Sequence, residues 1–139
     1  MYSRNHAVVS ALVGVPVAIG APDGAQLAVW LYMIVVGVGI DADHFVVARL
    51  NSGDWTNVRR CLEQPSLLLN GQDAIFDWGD LWRDQRLLSH LVIGGVLVSG
   101  LWWIDPYWAF ATAVTVYAHC IADLYSDMQT RDDYFAGRV

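Results

Sequence analysis

Lysine is absent from the 139-residue chain, glutamate occurs once, at Glu63, and cysteine occurs only at positions 61 and 120. Two cysteines without a C-x-x-C spacing exclude a disulfide framework. Charged residues amount to only 16% while hydrophobic residues reach 55%, which excludes a disordered chain. A cationic field is missing too. With a net charge of −6 the chain cannot displace the counterions around phosphates, so nucleic acid is excluded as a partner. No Ser-His-Asp constellation, phosphate-cradling glycine loop or dinucleotide fingerprint is found. Internal repeats and low-complexity segments are also lacking.

What is present is one domain's worth of strongly apolar chain. The acidic residues are aspartates apart from Glu63 and the basic residues are all arginines, a bias that resembles the proteins of salt-loving archaea. Four apolar stretches approach the ~20 residues that cross a hydrocarbon core. They predict an all-α fold, an integral-membrane four-helix bundle forming a single transmembrane domain over 1–139. Its helices are expected at about 5–21, 26–49, 86–104 and 106–125. Pro106 suits a first helical turn, and Trp30, Trp102, Trp103, Tyr107 and Trp108 fall near segment ends, where amphipathic rings favour the interface. A soluble four-helix bundle is the alternative. Arg4, the apolar run after it and the small Gly20 and Ala21 imitate a cleavable leader, but a retained first span is expected.

Four spans put both termini and the 50–85 connection on one side, together with Arg4, Arg49, Arg59, Arg60, Arg83, Arg86, Arg131 and Arg138. By the positive-inside rule that side is cytoplasmic, so a multi-pass cell-membrane protein with both termini in the cytoplasm is expected. In the connection, Trp55, Val58 and Leu62, then Ile75, Trp78 and Trp82, recur at helical spacings. One or two amphipathic helices lying against membrane lipid are predicted, serving as a lid or as a plain anchor.

Ionisable residues inside a membrane cost about 2.5–3.5 kcal/mol each at a helix centre, so a group of them demands a compensating interaction. Such a group comprises His6 in the first helix, Asp41, Asp43 and His44 in the second, His90 in the third, and His119 with Asp123 in the fourth. At ~1.5 Å per residue, His90 lies roughly 9 Å into its helix and His119 about 20 Å along the antiparallel one, which brings both to one level. Asp41 and His44 (i, i+3) and His119 and Asp123 (i, i+4) each share a helix face. Asp43 points away unless the helix unwinds, which Gly37 and Gly39 allow. Imidazoles and carboxylates gathered in a bundle core suit a divalent transition metal, zinc first and manganese or iron otherwise, as one ion or two sharing a carboxylate. A proton or ion pathway uses the same residue types. Cys120, beside His119, is expected to pack rather than ligate.

The ordered set Asn5-His6, Asp41-Ala42-Asp43-His44, Ser89-His90 and His119-x-x-x-Asp123 resembles the YdjM-like family of membrane-bound metal-dependent hydrolases over most of the chain. The chain departs from the family pattern at Gly39-Ile40, where the family has Leu-Pro, at Gln85, where it has a further histidine, and at Leu91, where it has serine. The resemblance implies metal-assisted hydrolysis at the cytoplasmic face. In that scheme Asp43 or Asp123 accepts the proton of the attacking water, and Arg86, one turn from His90, steadies an anionic group of an amphiphilic substrate such as a lipid phosphoester. Two other functions use the same residues: a noncatalytic metal-clamped subunit docking a partner protein, and an ion or proton conductor. A bundle this small can also associate with copies of itself.

Overall fold

Aspartate and proline at 105–106 separate two long helices as their chemistry requires: Asp105 accepts a hydrogen bond from the Tyr107 amide at 2.8 Å, and Pro106 fills the first helical position. The computed structural model describes residues 3–68 and 74–136, which are helical with no strand among them. The helices are α1 (Ser3–Ile19), α2 (Gln26–Gly39), α3 (Asp43–Ser52), α4 (Thr56–Glu63), α5 (Arg83–Ile104), α6 (Pro106–Gln129) and α7 (Arg131–Phe135). The all-α expectation holds.

Three of the four expected long helices are displaced at their ends by a turn or less, and α6 runs about one turn beyond residue 125. The second is not one α-helix. A three-residue 3₁₀ turn, Ile40–Ala42, joins α2 to α3. Helix α1 packs on α2 and α6, α2 also on α6, α5 along α6, and α3 against α5. Side-chain bonds tie these rods. The Trp30 indole donates to the Ala11 carbonyl at 3.0 Å, and the Tyr107 hydroxyl donates to the Val17 carbonyl.

Two rods, Gln26–Ser52 (27 residues) and Arg83–Ile104 (22 residues), are long and apolar enough to cross a membrane. Helices α1 and α6 do not meet that measure. The first is only 17 residues long, and the second breaks its apolar run with Thr112, Thr115, His119 and Asp123.

Val17, Ala18, Ala21, Val29, Met33 and Ala111 pack together at one end of the interior. Towards the other end the buried side chains include Ser10, Thr115, His6, His90, His119, Asp43 and Asp123, beside a smaller apolar cluster of Ile40, Val116 and Cys120. Leu12, Val35, Leu88, Val96 and Tyr117, by contrast, face outward.

Among the described residues of the connection, one amphipathic α-helix is formed. Helix α4 buries Asn57 and Cys61 and exposes Trp55 and Leu62. The helical spacing of Ile75, Trp78 and Trp82 does not become a helix. Gly79 takes φ 94°, Asp80 N–H donates to the Asp77 carbonyl, and the Asp80 carboxylate accepts from the Asp77 amide. A positive-φ glycine inside an aspartate-rich turn stops helical winding at that point. Ile75 is nevertheless buried. Residues 69–73 of the connection, and Arg138, counted above among the arginines of one side, lie outside the described residues.

Candidate metal centre

The 3₁₀ turn decides the site's shape. Winding at about 3.0 rather than 3.6 residues per turn swings Asp43 some ~40° towards the face that Asp41 and His44 already share. Asp41, Asp43 and His44 therefore all reach the bundle interior, where α1 brings His6, α5 brings His90 and α6 brings His119 and Asp123. All seven residues named from the sequence come together at one level.

Their nitrogens and oxygens play two different parts. His90 Nδ1 donates to Asp43 Oδ2 at 2.8 Å, and His119 Nδ1 donates to the Gly37 carbonyl at 2.8 Å. A carbonyl only accepts, so His119 must carry its hydrogen on Nδ1, and the Asp43 carboxylate favours the same tautomer of His90. In the neutral imidazoles both Nε2 atoms are then left with lone pairs, and these face each other at 3.2 Å. Two lone pairs do not bond one another, so something positive belongs between them.

The remaining contacts point to the same space. His119 Nε2 lies 3.3 Å from Asp41 Oδ1 and 3.5 Å from Asp123 Oδ2. His90 Nε2 lies 3.5 Å from Asp41 Oδ1 and 3.6 Å from Asp123 Oδ2. His6 Nε2 sits 3.2 Å from Asp123 Oδ1, its ring stacked on His119 at 3.7 Å. His44 Nε2 is 3.5 Å from Asp41 Oδ1. A charge-assisted hydrogen bond spans about 2.7–2.9 Å, whereas donors around a tetrahedral zinc with ~2.1 Å bonds stand about 3.4 Å apart. The inward contacts named above lie close to the second spacing, His6 Nε2–Asp41 Oδ2 is wider at 3.9 Å, and the outward His90–Asp43 bond has the first. His6 Nε2, Asp41 Oδ1 and His44 Nε2 are buried without a hydrogen-bond partner, another mark of donors arranged for a cation.

Two donor sets result, His6, Asp41, His119 and Asp123 in one and Asp41, His44 and His90 in the other, with Asp41 common to both. This buried cluster can hold a metal ion, and its shared carboxylate suits a second ion beside the first. Asp43 belongs to neither set. It orients His90.

Arg86 stands at the rim. Its Nη2 donates to both oxygens of Asp127 at 2.7 Å, and its Nε lies 3.4 Å from Asp123 Oδ2. A crevice of about 10 Å³ between α5 and α6, bordered by Arg83, Arg86, Leu87 and Asp127, opens on His90 and Asp123. Gln85, at the position where the resembling family has a further histidine, pairs instead with Asn51 at 2.6 Å. Cys120 packs with Ile40 and Val116. Below the cluster, Phe76 sets its ring edge-on to His44 at 6.1 Å, so the connection closes that side.

Three participants were not named from the sequence: the Gly37 carbonyl, Asp127 and Phe76. Asp127 had a signal, because it continues the i, i+4 ladder of His119 and Asp123. A backbone carbonyl and a ring from a turn leave none.

Fold and site together define a helical protein with a buried, metal-competent His/Asp cluster at one end of its bundle. No family model matches the chain, and no curated protein or solved structure matches it.

Proposed function

We propose that the protein is a multi-pass membrane metalloenzyme, a hydrolase of the kind that the YdjM-like resemblance implies, acting on an amphiphilic substrate at the cytoplasmic face. The observation that carries this reading is the spacing of the inward donors among His6, His90, His119, Asp41 and Asp123, five pairs at 3.2–3.6 Å and His6–Asp41 at 3.9 Å. Membrane embedding is supported by the inverted packing, with leucine and valine outside and histidine, aspartate, serine and threonine within. In this reading α1, α2 with α3, α5 and α6 are the four spans. The two termini and the connection are cytoplasmic, and Trp55, Trp78 and Trp82 lie against membrane lipid.

Zinc is the resident ion, with manganese or iron as the other cations these donors accept, held by His6, Asp41, His119 and Asp123 and, for a second ion, by Asp41, His44 and His90. Such an ion lowers the pKa of bound water from about 15.7 towards about 7 and polarises the scissile bond. The chain's own residues do the rest. Asp43 and the Gly37 carbonyl hold the imidazole tautomers, and Asp123, which lines the crevice, is placed to accept a proton where it does not itself ligate the ion. Arg86 lies beside Asp123 and faces the entrance.

Elemental analysis of the detergent-purified chain tests the reading. About one or two transition-metal ions per chain are expected, falling to a small fraction in His90→Ala and Asp41→Ala, with turnover on a panel of phosphoester, ester and amide amphiphiles lost in step. Less than one ion per wild-type chain defeats it. The narrow crevice favours a second reading, in which the metal clamps the rods of a noncatalytic subunit. That reading expects the same metal content, no turnover on any substrate, and a loss of several kcal/mol of stability when the metal is stripped.

A further inference from the structure

Two guanidinium groups meet one carboxylate at the mouth of the crevice. Arg83 and Arg86 lie one turn apart at the start of α5, and both reach Asp127, which sits one turn beyond Asp123 on α6. The Asp127 carboxylate takes 2.7 Å bonds from Arg86 Nη2 on both oxygens, and Arg83 Nε approaches its Oδ1 at 3.4 Å. Arg83 is itself fixed. It donates to the Asp127 carbonyl at 2.8 Å and to Thr130 Oγ1 at 2.6 Å, and it lies over the Tyr134 ring at 4.2 Å. Arg86 also touches Asp123, a member of the cluster, so whatever replaces Asp127 is adjacent to the donors.

We propose that Arg83 and Arg86 form the binding site for the dianionic phosphate of a phosphomonoester, and that the Asp127 carboxylate occupies this site until the phosphate exchanges for it. Asp123 stands 3.4 Å from Arg86 Nε and is shared with His6, His90 and His119. Among the described residues Asp127 is thus the one carboxylate that the arginine pair binds at full hydrogen-bond distance, through Arg86, and positive charge is in excess at this locus. A terminal phosphate carries two negative charges and supplies the multi-oxygen acceptor that planar guanidinium forks favour. A phosphodiester carries one charge and offers no advantage over the carboxylate it must displace. Exchange, rather than addition, follows from the space. About 10 Å³ holds roughly one water and no phosphate while Asp127 is in place. The Asp127 side chain is about one-fifth exposed and has solvent to turn into.

For its catalytic meaning this inference rests on the hydrolase reading. Its binding chemistry stands on the arginines alone.

Calorimetry on the full chain in detergent, titrated with inorganic phosphate, dimethyl phosphate or short-chain phosphatidic acid in the micelle, tests it. Asp127→Asn is expected to tighten inorganic phosphate at least tenfold over wild type, to leave dimethyl phosphate unchanged, and to lose the gain when combined with Arg86→Gln. A larger gain for phosphatidic acid than for inorganic phosphate identifies a lipid headgroup as the source, and a gain for inorganic phosphate alone identifies a soluble monoester. Equal phosphate affinity in wild type and Asp127→Asn, or a gain that survives Arg86→Gln, overturns the proposal. If Asp127→Asn does not fold, phenylglyoxal on the wild type decides: phosphate must slow modification of Arg83 and Arg86, and absence of protection overturns the proposal equally. Metal content is measured on the same samples. Phosphate exchange without metal removes the hydrolase reading and keeps the arginine site, whereas metal without phosphate exchange does the reverse.

Discussion

A histidine ring has two nitrogens, and what one of them touches determines what the other can do. His119 is held by a carbonyl and His90 by Asp43, so in their neutral form both present an Nε2 lone pair to the same space. Replacing the Gly37 carbonyl is impossible by substitution, but the Asp43 carboxylate can be removed. Asp43→Asn is expected to weaken metal binding by about 10- to 100-fold while leaving the helical content unchanged, read by competition against a chromogenic chelator. Unchanged affinity would show that Asp43 does not orient His90. Outside the bundle, Arg60 donates to Asp77 at 2.6 Å and holds that carboxyl below its ordinary range. A depressed carboxyl stabilises the fold above the unfolded-state pKa of about 3.9, and the contribution disappears as pH falls through the lower folded value. Amide exchange over 74–80 should therefore be faster in Asp77→Asn than in wild type near neutral pH, and the difference should vanish once the pH has fallen through the depressed pKa of the folded carboxyl. A difference that persists there would assign the effect to something other than the ion pair.

At the scale of elements, the crossing of α1 and α2 depends on Gly37. A Cβ built there would collide with Ser10 Oγ and come within 2.9 Å of Ser10 Cβ. Gly37→Ala is expected to destabilise the protein by about 1–3 kcal/mol, to weaken metal binding because the Gly37 carbonyl moves from His119, and to be rescued by Ser10→Gly. Thermal unfolding in detergent measures the first effect, and the double variant tests whether the close approach is its cause. Helical periodicity made two of these elements legible: the i, i+4 spacing of His119 and Asp123 sets both on the inner face of α6, and the apolar runs mark the long rods. The same periodicity misled at 74–82, where turn chemistry around Gly79 outweighs the spacing of Ile75, Trp78 and Trp82. It was silent on the 3₁₀ turn, because glycines permit a change of winding without specifying it.

Over the whole molecule many large apolar side chains, among them Leu12, Val35, Leu88 and Val96, face outward, and the proposed orientation has a direct test. In a background with Cys61 and Cys120 replaced by alanine, single cysteines at Asp23 and Asp105 should react with a membrane-impermeant maleimide on intact cells. Cysteines at Ser66 and Arg131 should react only after permeabilisation. Labelling of all four from outside would reject the four-span arrangement. The two turns carry no arginine, so no charge opposes their translocation.

Helicity, the shared helix faces of Asp41 with His44 and of His119 with Asp123, and the common level of the cluster residues were all legible in the order of the residues. Those properties follow from rise per residue and turn angle, which are local. Tertiary structure alone decided which nitrogen of each imidazole faces the centre, that Asp43 serves His90, and that Asp127 fills the space between two arginines. Each of these depends on a partner roughly 40 to 80 residues away along the chain. A hydrogen bond's direction is fixed only when both rods are in place.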